Sequence, residues 1–288
     1  MNPKNRSQKT NPIVKVKIYF HVLAAIIAQA ASAQSTTTLI GARAAGLGYA
    51  TSVTEDEWSL FNNVGGLARV DQLNVSFAYE ARPALIGANR MAASISAPSK
   101  VGTLAVGIFR FGDDVYSEHL VSFGVGNQIG NTSLGAKLNY TQYRVESFGN
   151  TTAVSFDFGG ITRITSQLSI GAYITNLTES KLVGSDGERI PTKLVLGIGF
   201  RTSDKIFVAT ELEKDLDYQT IWKTGLEYSI YKKVFFRTGF NLNPNAAYFG
   251  LGAQKKNLKF DYAIRFNQLT GAAHQVSATY LIPSKIKK

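Results

Sequence analysis

Three groups of residues have types and spacing that could support chemistry. The first is the glycine-rich stretch Gly41–Ala68, GARAAGLGYATSVTEDEWSLFNNVGGLA, which raises the question of a phosphate cradle. The second is the pair His119 and His274, and the third is a scatter of charged residues between 137 and 265. A Walker loop needs Lys-Ser or Lys-Thr after its last glycine so that the ammonium reaches the phosphates. Here Gly46-Leu47-Gly48 runs into Tyr49, and the stretch contains no lysine. A dinucleotide fingerprint needs an apolar strand before it and a helix after it within a βαβ unit. Ser35-Thr36-Thr37-Thr38 is a poor buried strand, and no alternation of helix and strand follows. Nucleotide binding is excluded on both counts.

The elements that would have to position these residues have a repeating format. From about residue 72 onward, runs of roughly ten residues alternate in character and then turn. In 192–202, Leu194, Leu196, Ile198 and Phe200 alternate with Lys193, Val195, Gly197, Gly199 and Arg201. In 257–267, Leu258, Phe260, Tyr262, Ile264 and Phe266 alternate with Lys259, Asp261, Ala263, Arg265 and Asn267. Period two places one apolar set on one face and charge, amide and glycine on the other. This reading predicts about fourteen strands: 72–81, 90–97, 102–111, 116–126, 131–144, 150–162, 167–176, 192–202, 205–213, 218–230, 233–242, 247–254, 257–267 and 273–282.

Strands of this length, tilted near 45°, cover the roughly 25 Å apolar band of an outer membrane. The intervals also alternate, with short turns after even strands and longer connections after odd ones, 177–191 being the longest. Outer-membrane barrels show this parity. A soluble β-sandwich or propeller is the competing fold. A sandwich seldom keeps such long strands over this length, and the chain lacks a blade-like repeat. The expected fold class is therefore all-β, a transmembrane antiparallel barrel of about fourteen strands with a short helical N-terminal plug.

The ends of the chain and its composition agree with export. Lys4, Arg6, Lys9, Lys15 and Lys17 form a basic leader, an apolar stretch spans Val16–Ala30, and Ala31-Ser32-Ala33 offers a small-x-small cleavage site. Residues 1–33 are thus expected to be a removed signal peptide, 34–70 a plug or lead-in, and 71–288 the barrel. An uncleaved N-terminal anchor is the alternative for the leader. Its removal takes the formal charge from +11 to 11 − 5 = +6, so the high pI does not argue for nucleic acid. With no cysteine, disulfides and thiolate metal sites are excluded. No cofactor and no metal is expected.

Parity also assigns directions to the chemical residues. His119 lies in phase with Val121, Phe123 and Val125, and His274 with Val276, Ala278 and Tyr280, so both are expected to face lipid. A general base aimed at lipid is a poor catalyst, and no catalytic residue is assigned. The opposite parity gathers Lys137, Asp157, Lys193, Arg201, Glu211, Lys223, Glu227, Arg237, Lys259, Asp261 and Arg265 in the lumen. Enclosed charges must be solvated or paired, so these form either an ion-pair network or the lining of a polar conduit. Before the first strand, Thr54 and Glu57 have capping-box spacing, and Asn62-Asn63 and Gly65-Gly66 interrupt the apolar side, which predicts one or two helical turns and then a tight bend. The lumen is the natural burial site for Trp58, Leu60 and Phe61. A flexible linker is the alternative for this segment.

The stretch Gly41-Ala42-Arg43-Ala44-Ala45-Gly46-Leu47-Gly48-Tyr49-Ala50, then Glu55-Asp56-Glu57-Trp58-Ser59-Leu60-Phe61-Asn62-Asn63 and Gly66-Leu67-Ala68, resembles the N-terminal signature of the PorV/PorQ group. That group is related to the long-chain fatty-acid transporter (FadL-like) family of outer-membrane barrels. Val64-Gly65 stands where the family has Pro-Ala. The resemblance implies a non-enzymatic outer-membrane protein with one of two roles. As a PorV/PorQ-like protein it would be an accessory of type IX-like secretion, with envelope or secreted proteins as partners. As a FadL-like channel it would admit a hydrophobic small molecule, with Trp58, Leu60 and Phe61 near the cavity. The short external connections favour the accessory role. Outer-membrane lipid is the surrounding partner in either case.

Overall fold

A computed structural model describes residues 37–184, 187–216 and 218–283. The proposed signal peptide lies outside the described residues. Fourteen strands follow one another: β1 (Asn74–Ala81), β2 (Arg90–Ser99), β3 (Gly102–Gly112), β4 (Tyr116–Ile129), β5 (Thr132–Val145), β6 (Gly149–Arg163), β7 (Leu168–Thr175), β8 (Lys193–Ser203), β9 (Ile206–Asp215), β10 (Ile221–Tyr231), β11 (Val234–Leu242), β12 (Ala246–Lys255), β13 (Leu258–Asn267) and β14 (Gly271–Leu281). Each pairs antiparallel with its sequence neighbours, and β1 closes on β14 from Asn74↔Leu281 to Ala81↔His274. The seam continues past the strands, where Ile282 N donates to Leu73 O at 2.7 Å. Closure leaves no free sheet edge, the requirement for a sheet surrounded by lipid.

The alternation read from the sequence is realised in the wall. On β4, Val121 and Phe123 are exposed while Leu120, Ser122 and Gly124 are buried. The outward set along the barrel is apolar and open, for example Phe77 at 51%, Ile108 at 58% and Leu251 at 57% exposure. The connections sort as expected. One rim carries the tight turns 100–101, 130–131, 164–167, 204–205, 232–233 and 256–257, and is here termed the turn rim. The loop rim carries the others, including 176–192.

That long connection has a structural task. β7 pairs with β6 only over Phe158–Arg163, leaving the outer half of β6 without a strand partner on that side. The connection lies along it, with Leu177 N donating to Phe156 O (2.8 Å) and Val183 N to Thr152 O (2.9 Å). Backbone groups that would face lipid unpaired are thereby satisfied.

The buried core is the plug and the inner wall. Trp58, Phe61 and Leu60 are 1%, 1% and 0% exposed, and they cluster with Ile40, Val64, Leu67, Phe109 and Leu120. The local structure differs from the expected helix over 54–61. Thr54 Oγ1 donates to Thr51 O, Glu57 is drawn to the wall, and residues 56–61 form turns. The capping box does not form because Asp56 takes its place. Asp56 N donates to Ser59 Oγ, and Asp56 Oδ1 accepts from Trp58 N. Helix instead occurs on both sides: α1 (Ala42–Gly46), and a 3-10 helix, Val64–Arg69, where the sequence suggested a bend at Gly65-Gly66. Asn63 caps the second through its side-chain oxygen to Gly65 N.

Candidate functional site

The site is the lumen and the plug that fills it. Backbone packs against backbone here, and the glycines permit it. Gly41 adopts φ 107 directly against the Trp58 ring, where a Cβ would come within 2.7 Å of Cγ. On the wall, a Cβ at Gly126 would fall 2.5 Å from Ala68 N and 2.7 Å from Leu67 Cβ. Similar approaches occur at Gly107 and Gly124 against Phe61 and Leu60, and at Gly225 against Leu47. The inward-facing glycines of the strands are the space that the plug occupies. Its glycines serve mechanics, not phosphate.

The plug is held by apolar contacts and by ion pairs. Toward β3–β6 apolar contacts are joined by Asn63 Nδ2 donating to Gly160 O at 3.2 Å and by the pairing of Glu55 with Arg163 at the turn rim. Toward β9–β13, Leu47, Ala50 and Val53 pack on Phe207 and Ala209, and Ala42, Ala45 and Tyr49 on Tyr248 and Ala263, and most of the ion pairs lie on this side. Arg43 donates through Nε and Nη2 to Glu227 (both 2.9 Å) and through Nη1 to Asp56 (2.8 Å). Arg237 joins the same Glu227 at 2.6 Å and Asp261 at 2.6 Å. Lys259 pairs with Glu57 at 2.9 Å. Glu211 accepts from Ser52 N at 2.7 Å and pairs with Lys223 at 3.0 Å, while Lys223 and Lys193 share Glu213 at 2.5 and 3.1 Å.

Two more clusters complete the interior. Lys137 pairs with Asp157 at 3.0 Å, and Asp157 Oδ1 accepts from Asn176 N at 2.8 Å where the long connection begins. Near the loop rim, Glu80 pairs with Arg90 and Arg82. Arg90 also donates to Tyr49 Oη (2.7 Å) and to the carbonyls of Thr37 and Leu39. Burial alone would push the carboxyls of Asp56 and Glu57 up. For Asp56 it prevails over Arg43, whereas for Glu57 the Lys259 ammonium outweighs it and holds the group below its usual range.

Of the lumen residues expected from parity, Lys137, Asp157, Lys193, Glu211, Lys223, Glu227, Arg237, Lys259 and Asp261 therefore stand in ion pairs. Arg201 is exposed at the turn rim with its guanidinium 5.1 Å over the Phe207 ring, and Arg265 has a buried Nε without a hydrogen-bond partner. Glu80, Arg90 and Glu213 belong to the same networks and were absent from the sequence assignment, although the alternation already marks them. Arg43 carried no local signal, since its partner Glu227 lies 184 residues away.

The two histidines of the described residues both lie on the outward face of the wall. His119 is exposed on the outer wall, and His274 Nδ1 lies 2.7 Å from Tyr262 Oη on the same face. Among the described residues, no group of His, Cys, Asp and Glu is placed to hold a metal. A polar cavity of about 200 Å³ borders the plug at the turn rim and is lined by Arg43, Glu55, Asp56, Glu57, Glu227 and Lys259 among others. An open recess of about 510 Å³ at the loop rim lies on the outer face of the wall, where Phe240, Leu242, Ala247 and Phe266 point outward, with Asn245, Asn267 and Gln268 beside them and no plug residue in its lining. Neither is lined by Trp58, Leu60 or Phe61.

No family model matches the chain, and no curated protein matches it by sequence. Solved structures do match. The Ralstonia pickettii toluene transporter TbuX aligns at 11% identity with a TM-score of 0.61, covering 85% of this chain and 97% of that one. The Pseudomonas putida toluene transporter TodX aligns at 12% and 0.59, covering 85% and 98%. A Pseudomonas aeruginosa FadL homologue aligns at 12% and 0.59, covering 85% and 99%. At these identities the likeness is one of architecture: the chain has the fold of the FadL-like outer-membrane β-barrels.

Proposed function

We propose that this chain is a non-enzymatic outer-membrane barrel that admits apolar small molecules, with the loop rim external and the turn rim periplasmic. The observation that carries the reading is the architecture, a closed fourteen-strand wall built like known toluene transporters. Uptake of toluene into proteoliposomes should exceed that of protein-free vesicles, and Arg43→Ala, which frees the plug from Glu227 and Asp56, should raise it several-fold. Uptake equal to that of protein-free vesicles in both proteins refutes the reading.

A second reading, an accessory barrel of protein secretion, is favoured by a different observation. Ion pairs tie the plug to β10 and β13, which opposes its displacement from the lumen. A barrel that only holds partners would co-purify with envelope or secreted proteins and leave toluene uptake at background. The same preparation distinguishes the two.

A further inference from the structure

The charges on the turn rim are unevenly distributed around its circumference. The adjacent turns that join β8 through β13 carry Lys205, Lys232, Lys233, Lys255 and Lys256, all exposed, against the single acid Asp204. The other three turns carry a single lysine, Lys100 at 100–101, while 130–131 and 164–167 read Gly-Asn and Ile-Thr-Ser-Gln, and Arg163 beside the last is already paired with Glu55. The loop rim has the other sign, with Asp113, Asp114, Glu146, Glu179 and Glu188 against Arg82, Lys181 and Arg189. None of the five lysines forms an ion pair among the described residues. Such a concentration of like charge raises the energy of the barrel unless something anionic neutralises it.

The depth of these lysines identifies the partner. Turns of two residues hold the ammonium groups close to the strand ends. The outward side chains next to them are apolar and open: Val234 at 38%, Leu251 at 57% and Leu258 at 55%, with Tyr231 at 76%. Cations just beyond an apolar belt, beside an exposed tyrosine, lie at headgroup depth, where long amine side chains extend their charge. A docking site for an acidic protein would need these cations raised clear of the bilayer, and the turns are too short for that.

We infer that the β8–β13 arc of the turn rim binds anionic phospholipid headgroups of the leaflet that surrounds it. This rests on the membrane placement proposed above and is independent of what the barrel carries. Each lysine near an anionic surface contributes roughly a fivefold preference, weakened by salt.

The test uses the full chain in nanodiscs of phosphatidylcholine containing a minor fraction of phosphatidylglycerol. Spin-labelled lipids measure the preference for phosphatidylglycerol at the barrel surface. Wild type should enrich phosphatidylglycerol in a salt-sensitive manner. The variant Lys232→Gln, Lys233→Gln, Lys255→Gln and Lys256→Gln should lose at least about tenfold of that preference. The corresponding arginine variant should keep it, which separates charge from folding. Absence of enrichment in wild type, or equal enrichment in the glutamine variant, overturns the inference. Lysine-dependent binding of polyglutamate without lipid preference also overturns it and makes the arc a protein surface. Failure of the barrel to enter nanodiscs would instead refute the membrane placement itself.

Discussion

Arg43→Ala removes the central member of the clamp between plug and wall. Its guanidinium makes two bonds to Glu227 and one to Asp56, and its side chain is 21% exposed. Removing one partner of a buried ion pair costs about 3–5 kcal/mol, because the remaining carboxylate stays enclosed. Glu227 keeps Arg237 at 2.6 Å, and Asp56 keeps the Trp58 amide at 2.9 Å, which puts the cost near the lower bound. About 3 kcal/mol corresponds to roughly a hundredfold rise in the fraction of molecules whose plug has left the wall. Planar-bilayer conductance detects that state, and trypsin cleavage at Arg69 reports it in detergent. Wild type should be silent and resistant, Arg43→Ala should show openings and rapid cleavage, and Arg43→Lys should fall between because it keeps charge without the fork. Arg163→Ala is the control, since Arg163 is 46% exposed and its pair with Glu55 lies at the rim, where ion pairs contribute little. If Arg43→Ala conducts and resists trypsin like wild type, the ionic clamp does not hold the plug.

Gly126→Ala should lower stability by about 1–3 kcal/mol through overpacking against the backbone at Ala68, read as a reduced melting temperature in detergent. Trp58→Ala should cost about 3–5 kcal/mol in the same assay. The two tryptophans report opposite environments: brominated acyl chains should quench Trp222, 47% exposed on the outer wall, and leave the buried Trp58 bright. Quenching of Trp58 to the same extent would contradict a plug enclosed by the barrel. Glu57 has its folded pKa below the ordinary value of about 4.3, so its contribution is fully present above that value and is lost as pH falls through the folded one. Plug proteolysis should therefore accelerate on acidification below about pH 4, and Glu57→Gln should remove this part of the response.

The barrel was legible in the sequence because a strand's two faces differ in a local, countable way. All fourteen strands lie within three residues of their expected ends, and the connections keep their alternation of length. On the opposite parity, nine charged residues stand in ion pairs. Local pattern failed for the plug, where Thr54 and Glu57 have capping-box spacing yet form no capping box. Glu57 gains more from Lys259, 202 positions along the chain, than from its neighbouring amide. Local propensity lost to tertiary electrostatics. Arg43 shows the same limit, since nothing around it in sequence announces Glu227.

What the sequence alone determined is the architecture: a closed wall, apolar outside and polar within, preceded by an aromatic-bearing segment that needed burial. These follow from period-two patterning, which depends on each residue and its nearest neighbours. Only the tertiary structure decided that the plug packs inside the wall and that ion pairs with β6, β10 and β13 tie it there. Those outcomes depend on which strands face each other across the cylinder, and distances across a barrel leave no trace in the spacing of residues along the chain.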